Sequence, residues 1–99
     1  MTAKTAFIAA SDFHRRRQQD ARLALIDVRP EAEYRRAHVA GARSFPLEEL
    51  ACAQSAGYLS ILGLGREQTL YVTSDSAERS ARAVALLAAH GLDNVTVLE

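Results

Sequence analysis

The sequence predicts an α/β domain with a central, mainly parallel β-sheet flanked by helices on both faces. Three observations carry that expectation. Strand and helix signals alternate along the whole chain. The segment Ala24-Leu25-Ile26-Asp27-Val28 is almost continuously apolar, as a strand covered on both faces must be. A second apolar strand, Leu70-Tyr71-Val72-Thr73, leads through a short polar loop into an Ala/Leu-rich helix. That arrangement sets a helix N-terminus at the carboxyl end of a strand, where α/β proteins often handle anions.

Ala6-Phe7-Ile8 reads as a short first strand. Ser11 reads as the N-cap of a helix running to about Arg22, with Asp12 favourable at the positive helix end and Phe13 as its apolar anchor. After the strand at 24–28, Pro30 is expected at the first helical position of a short helix through about Ala37, with Glu31 and Glu33 in the first turn. Gly41 breaks that helix, and Arg43-Ser44-Phe45 forms a brief strand ending at Pro46. Leu47 to Ala53 is expected as another short helix, and Gly57, Gly63 and Gly65 punctuate an irregular link to a strand at Thr69–Thr73. In the helix beyond the polar loop, Ser80, Ala83, Val84 and Leu87 share one face. His90-Gly91 closes that helix, and Val95 to Leu98 supplies the last strand with right-handed crossovers throughout.

At 99 residues the chain is one small domain, 1–99. A domain of that size buries about 60–68% of the surface its unfolded form exposes. Twelve basic and twelve acidic residues cancel, so the charge balance supports neither a nucleic-acid nor a membrane partner. The single cysteine, Cys52, excludes an internal disulfide and a multi-cysteine metal site, and is expected as a buried structural thiol in a reducing cytoplasm. The three histidines show no metal-ligand spacing, so neither a metal nor another cofactor is expected. No apolar run approaches the ~20 residues of a membrane span. Arg15-Arg16-Arg17 point around a helix rather than along one face, which predicts a solvated surface.

Asp27-Val28-Arg29, then Glu33-Tyr34, then His38-Val39-Ala40-Gly41-Ala42 together resemble the signature of the rhodanese family: Asp-x-Arg, an acidic-aromatic pair, and Gly-His-Ile/Val-x-Gly-Ala. The likeness resumes over Leu70–Leu87 and again over Gly91–Leu98. It implies an α/β fold with a central parallel sheet, and a sulfurtransferase activity in which a cysteine carries sulfur as a persulfide. Asp27, Arg29, Glu33, Tyr34, His38 and Gly41 are expected to tie loops together rather than to react.

The family's six-residue loop begins at that cysteine, and counting back from Arg79-Ser80 puts its first position on Ser74. The loop is then Ser74, Asp75, Ser76, Ala77, Glu78 and Arg79. An oxygen at Ser74 cannot carry a persulfide, and a serine hydroxyl is a weak nucleophile without a base. No Gly-x-Ser-x-Gly elbow is present to make it one. Asp75 stands where a basic residue often follows, Ala77 where glycine is usual, and Glu78 adds a second carboxylate. One carboxylate about 6 Å from a bound anion repels it by roughly 3 kcal/mol at an effective dielectric of about 20. A helix N-terminus returns only about 0.3–1 kcal/mol, or about 2 kcal/mol when partly buried. The related cell-cycle phosphatases that share the fold have a loop one residue longer and also need cysteine.

The expected function is therefore that of a noncatalytic binding or regulatory module, whose partners are other rhodanese-like domains of the same polypeptide. The alternative is a thiosulfate sulfurtransferase whose cysteine has been replaced by engineering here or lies on another domain. Rhodanese-like domains commonly continue past the last strand with a Gly-Gly turn and a helix, and Leu98-Glu99 matches a common affinity-tag junction. The chain is thus expected to be one module of a longer, tandem protein. A sheet face that such a helix would cover is expected to be partly apolar and to favour self-association.

Overall fold

A computed structural model describes residues 6–20, 23–51, 69–90, 92 and 94–99. The expectations for Cys52, Gly57, Gly63, Gly65 and Gly91 lie outside the described residues.

Five strands form one parallel sheet in the order β1-β5-β4-β2-β3. In chain order the elements among the described residues are β1 (Ala6–Ile8), α1 (Ala10–Gln19), β2 (Ala24–Asp27), α2 (Glu31–Arg36), β3 (Arg43–Ser44), α3 (Leu47–Leu50), β4 (Leu70–Thr73), α4 (Ala77–Ala89) and β5 (Val95–Leu98). Alternation along the strands divides the core into two layers. Ile26, Val28, Leu70, Val72, Val95 and Val97 face α3 and α4, where Leu47, Leu50, Ala83, Val84 and Leu87 meet them. Leu25, Tyr71, Ile8 and Leu98 face the other way and surround Phe13 of α1, which is fully buried. The predicted buried face of α4 is the observed one, since Ser80, Ala83, Val84 and Leu87 are its buried residues.

Several boundaries differ from the sequence reading, each for a local reason. Helix α1 starts at Ala10, and its N-cap is Ala9 with no side-chain cap bond, so Ser11 lies inside the first turn. The extended backbone of β1 passes straight into the helix, and the Phe13 amide donates to the Ala9 carbonyl at 3.0 Å. The helix ends at Gln19, where the Asp20 amide donates back to Arg16, rather than reaching Arg22. Pro30 is the N-cap of α2 rather than its first helical residue, with φ −54° and ψ 145°. The arginine run is solvated at Arg15 and Arg16, which are exposed, whereas Arg17 is half-buried. Arg16 donates to the Tyr71 hydroxyl at 3.2 Å, and Arg17 donates to the Ala40 carbonyl while its guanidinium lies 4.7 Å from the centre of the Phe13 ring. Arg15 makes an exposed 3.5 Å pair with Asp12.

The order of strands determines where a site can form. From β2 the chain moves outward to β3, whereas from β4 it moves the opposite way to β5, so the winding reverses between β2 and β4. Loops leaving neighbouring strands in opposite directions open a crevice at their carboxyl ends. Those ends are Asp27 and Thr73, which are register partners.

Candidate functional site

The loop between β4 and α4 starts at this crevice. Ser74 follows the last residue of β4, and Ser76 caps α4 by accepting the Arg79 amide at 3.1 Å. The Ser74 hydroxyl is held three ways: it donates to the Ser76 carbonyl at 2.8 Å, lies 2.5 Å from the Ser80 hydroxyl, and accepts the Ser76 amide at 3.3 Å. Because Ser74 spends its one proton on Ser76, the Ser80 hydroxyl must be the donor in the second contact. No imidazole, amine or carboxylate among the described residues bonds to Ser74. Among the described residues the amides of Asp75, Ala77 and Glu78 have no acceptor, so the loop keeps open donors at the positive end of a 13-residue helix.

Charge around the loop is arranged differently from a simple pair of carboxylates facing an anion. Glu78 is exposed and lies 3.5 Å from Arg82 one turn on. Asp75 is also exposed, so solvent screens both and the repulsion falls below the roughly 3 kcal/mol of the unscreened estimate. Arg79 offsets neither of them. Its Nε donates to the Val28 carbonyl at 2.6 Å and its Nη2 to both oxygens of Glu48 at 3.0 Å. Glu48 is held below its ordinary carboxylate range, first by a hydrogen bond to its own backbone and then by Arg79, with burial opposing.

Asp27 forms the floor on the β2 side and is wholly buried. Arg29 covers it with a forked contact: Nε lies 3.0 Å from both carboxylate oxygens, and Nη2 2.7 Å from Oδ2. The Arg29 amide adds a bond to Oδ1 at 3.0 Å, and Nη2 also reaches the Ala37 carbonyl at 2.6 Å. The Asp27 hydrogen bonds raise the Arg29 guanidinium above its ordinary value, against burial, and the charges of Asp27, Glu33 and Asp75 add to them. Tyr34 donates to the Ala42 carbonyl at 2.7 Å, and His38 Nδ1 donates to the Tyr34 carbonyl at 2.8 Å while its ring stacks on Tyr34 at 3.8 Å. Since a carbonyl only accepts, neutral His38 carries its proton on Nδ1. Gly41 takes φ +81°, the left-handed turn that returns the chain to β3. Glu33 makes no bond through its buried Oε2.

A cleft of about 390 Å³ results, lined by Asp27, Arg29, His38, Thr73, Ser74 and Asp75, with Ala37 and Val39 at its rim. A smaller one of about 240 Å³ lies across the loop, between Leu47, Glu78, Arg79 and Arg82. The two sequence motifs thus share one crevice, although Glu33, Tyr34 and Gly41 stand behind its wall rather than on it. Sequence reasoning missed Thr73, Val39 and Glu48. Thr73 could have been found by pairing the ends of β2 and β4, and Val39 by its place beside His38 in the motif. Glu48 carries no local signal, because its contact with Arg79 spans 31 positions.

The rhodanese-like domain model matches residues 9–99, and the chain belongs to that family. No individual curated protein sequence matches it. Among solved structures it is similar to wildtype EanB, at 18% identity and TM-score 0.83, over 98% of this chain and 24% of that one. A tyrosine-to-alanine EanB variant with ergothioneine covalently linked to a persulfide cysteine matches at 18% identity and TM-score 0.83, over 97% and 24%. The anaerobic ergothioneine biosynthesis enzyme from Chlorobium limicola, in complex with trimethyl histidine, gives the same four values. At that identity the likeness establishes the fold, and this chain spans about a quarter of the chains it resembles. No helix of the described residues is long and apolar enough to cross a membrane.

Proposed function

We infer that this chain is a noncatalytic rhodanese-like module, with Ser74 standing where an active member carries its sulfur on cysteine. The observation that carries this reading is the bonding of the Ser74 oxygen. It donates to the Ser76 carbonyl, accepts from Ser80 and the Ser76 amide, and has no base among its partners in the described residues. An oxygen so placed can neither be activated by proton removal nor hold a transferable sulfur. Its role is then to bind or regulate, and the partner is another rhodanese-like domain of the same polypeptide in a cytoplasmic setting. The test is to treat the protein with thiosulfate and map peptide masses. The peptide containing Ser74 gains no sulfur on this reading; an added sulfur on it refutes the reading.

A second reading, that of a thiosulfate sulfurtransferase disabled by one replacement, is favoured by the unpaired amides of Asp75, Ala77 and Glu78. Those donors would lower a thiol pKa and cradle an outer sulfur. Ser74→Cys separates the two: vigorous thiocyanate formation marks a single replacement, and silence marks a loop that diverged as a whole.

A further inference from the structure

We propose that the outer edge of β1 is an interface between two copies of this chain, paired antiparallel about a twofold axis at Phe7. β1 is the last strand on its side of the sheet. Its ladder to β5 has Ile8 opposite Leu98, and the Glu99 amide donates to the Ile8 carbonyl at 2.9 Å. In a parallel pair, alternate residues of a strand bond to a given neighbour. Ile8 and Ala6 therefore turn their main-chain groups towards β5, and Phe7 turns its N–H and C=O outward. No described strand receives them.

The same residue offers an uncovered side chain. Phe7 is 60% exposed, the exposed large hydrophobic among the described residues. Alternation puts it on the α4 face of the sheet, beside its register partner Val97, which is 4% exposed. An edge with an unpaired donor, an unpaired acceptor and an aromatic ring on one residue is a template for strand addition.

A second copy fits this edge because the edge complements itself. On a twofold axis through an antiparallel pair, the Phe7 N–H of each copy meets the Phe7 carbonyl of the other, and the two rings become cross-strand neighbours on one face. The opposite face has matching charge. Asp12, Arg15 and Arg16 of α1 line a recess of about 330 Å³ with Phe7, Ile8 and Ala9. The twofold axis brings the two α1 helices to the same side of the joined sheet in opposite directions, so Asp12 of each copy faces the basic side chains of the other. A formal net charge of zero leaves no general repulsion to oppose the contact.

Sedimentation equilibrium of the whole chain from about 10 μM to about 1 mM tests the pairing. The expected result is a monomer–dimer equilibrium that Phe7→Lys weakens at least tenfold, with an unchanged circular dichroism spectrum because the side chain is largely exposed. Asp12→Arg is expected to weaken it about threefold or more, and the swap Asp12→Arg with Arg15→Asp to recover it. A strict monomer at about 1 mM overturns the proposal. So does a dimer indifferent to Phe7→Lys, which would place the contact elsewhere, and so does open-ended association, which a twofold axis forbids.

Discussion

Asp27 and Arg29 are the most tightly bound pair among the described side chains. The carboxylate is fully buried at the floor of the cleft and Arg29 supplies four of the contacts that satisfy it. Removing one partner of such a pair strands the other, which costs about 3–5 kcal/mol, far more than the pair contributes relative to an apolar replacement. Arg29→Ala is therefore expected to lower the urea unfolding free energy by about 3–5 kcal/mol, and Arg29→Lys by clearly less, because it keeps the charge and loses the fork. A loss under about 1 kcal/mol for Arg29→Ala would contradict this. Asp-x-Arg was visible in the sequence as a spacing. The second bond of Arg29 Nη2, to the Ala37 carbonyl, was not, since only the fold brings the end of α2 over β2.

The elements around the cleft are joined by a few long-range ties, and two of them give separate expectations. Gly41 sits at φ +81°, where a Cβ would meet Arg17 Nη1 at an ordinary 3.5 Å, so the strain of a side chain there comes from the backbone alone. Gly41→Ala should cost about 1–2 kcal/mol in chemical denaturation, and no measurable loss would argue against the left-handed turn. The second tie, Arg79 to Glu48, joins the start of α4 to α3. Glu48 is held below its ordinary 4.5 in the folded state. A depressed folded value means the contribution is fully present above the unfolded value and is lost as pH falls through the folded one. The stability difference between the protein and Glu48→Gln is thus expected to be constant above about pH 5 and to shrink in more acid solution. The contribution is small, because the Glu48 side chain is 69% exposed, and a difference that grew on acidification would reverse the sign. Element order and type could be read from the chain because alternation and turn residues are local signals. The start of α3 at Leu47 could also be read, but that of α1 could not, because α1 takes its first turn directly from β1 without a side-chain cap.

For the whole molecule, the parallel sheet and its two-sided core were legible in runs such as Leu25-Ile26-Asp27-Val28, where successive residues go to opposite layers. The crevice between β2 and β4 follows from the reversal of winding and needs no special residue. Which residues line it was legible in part: Ser74 and Asp75 come from the loop, and Asp27, Arg29 and His38 from the motif. The assignment of Arg79 to Glu48 and Val28, instead of to the loop's own carboxylates, required the fold. The same holds for Arg16 and Arg17, whose partners lie on β4 and in the turn before β3. A module that binds without turnover forms no thiocyanate from thiosulfate and cyanide, and the unaltered chain can be assayed for it. The expected rate is no higher than that of buffer; sustained multiple turnover that survives Cys52→Ser would overturn the noncatalytic reading.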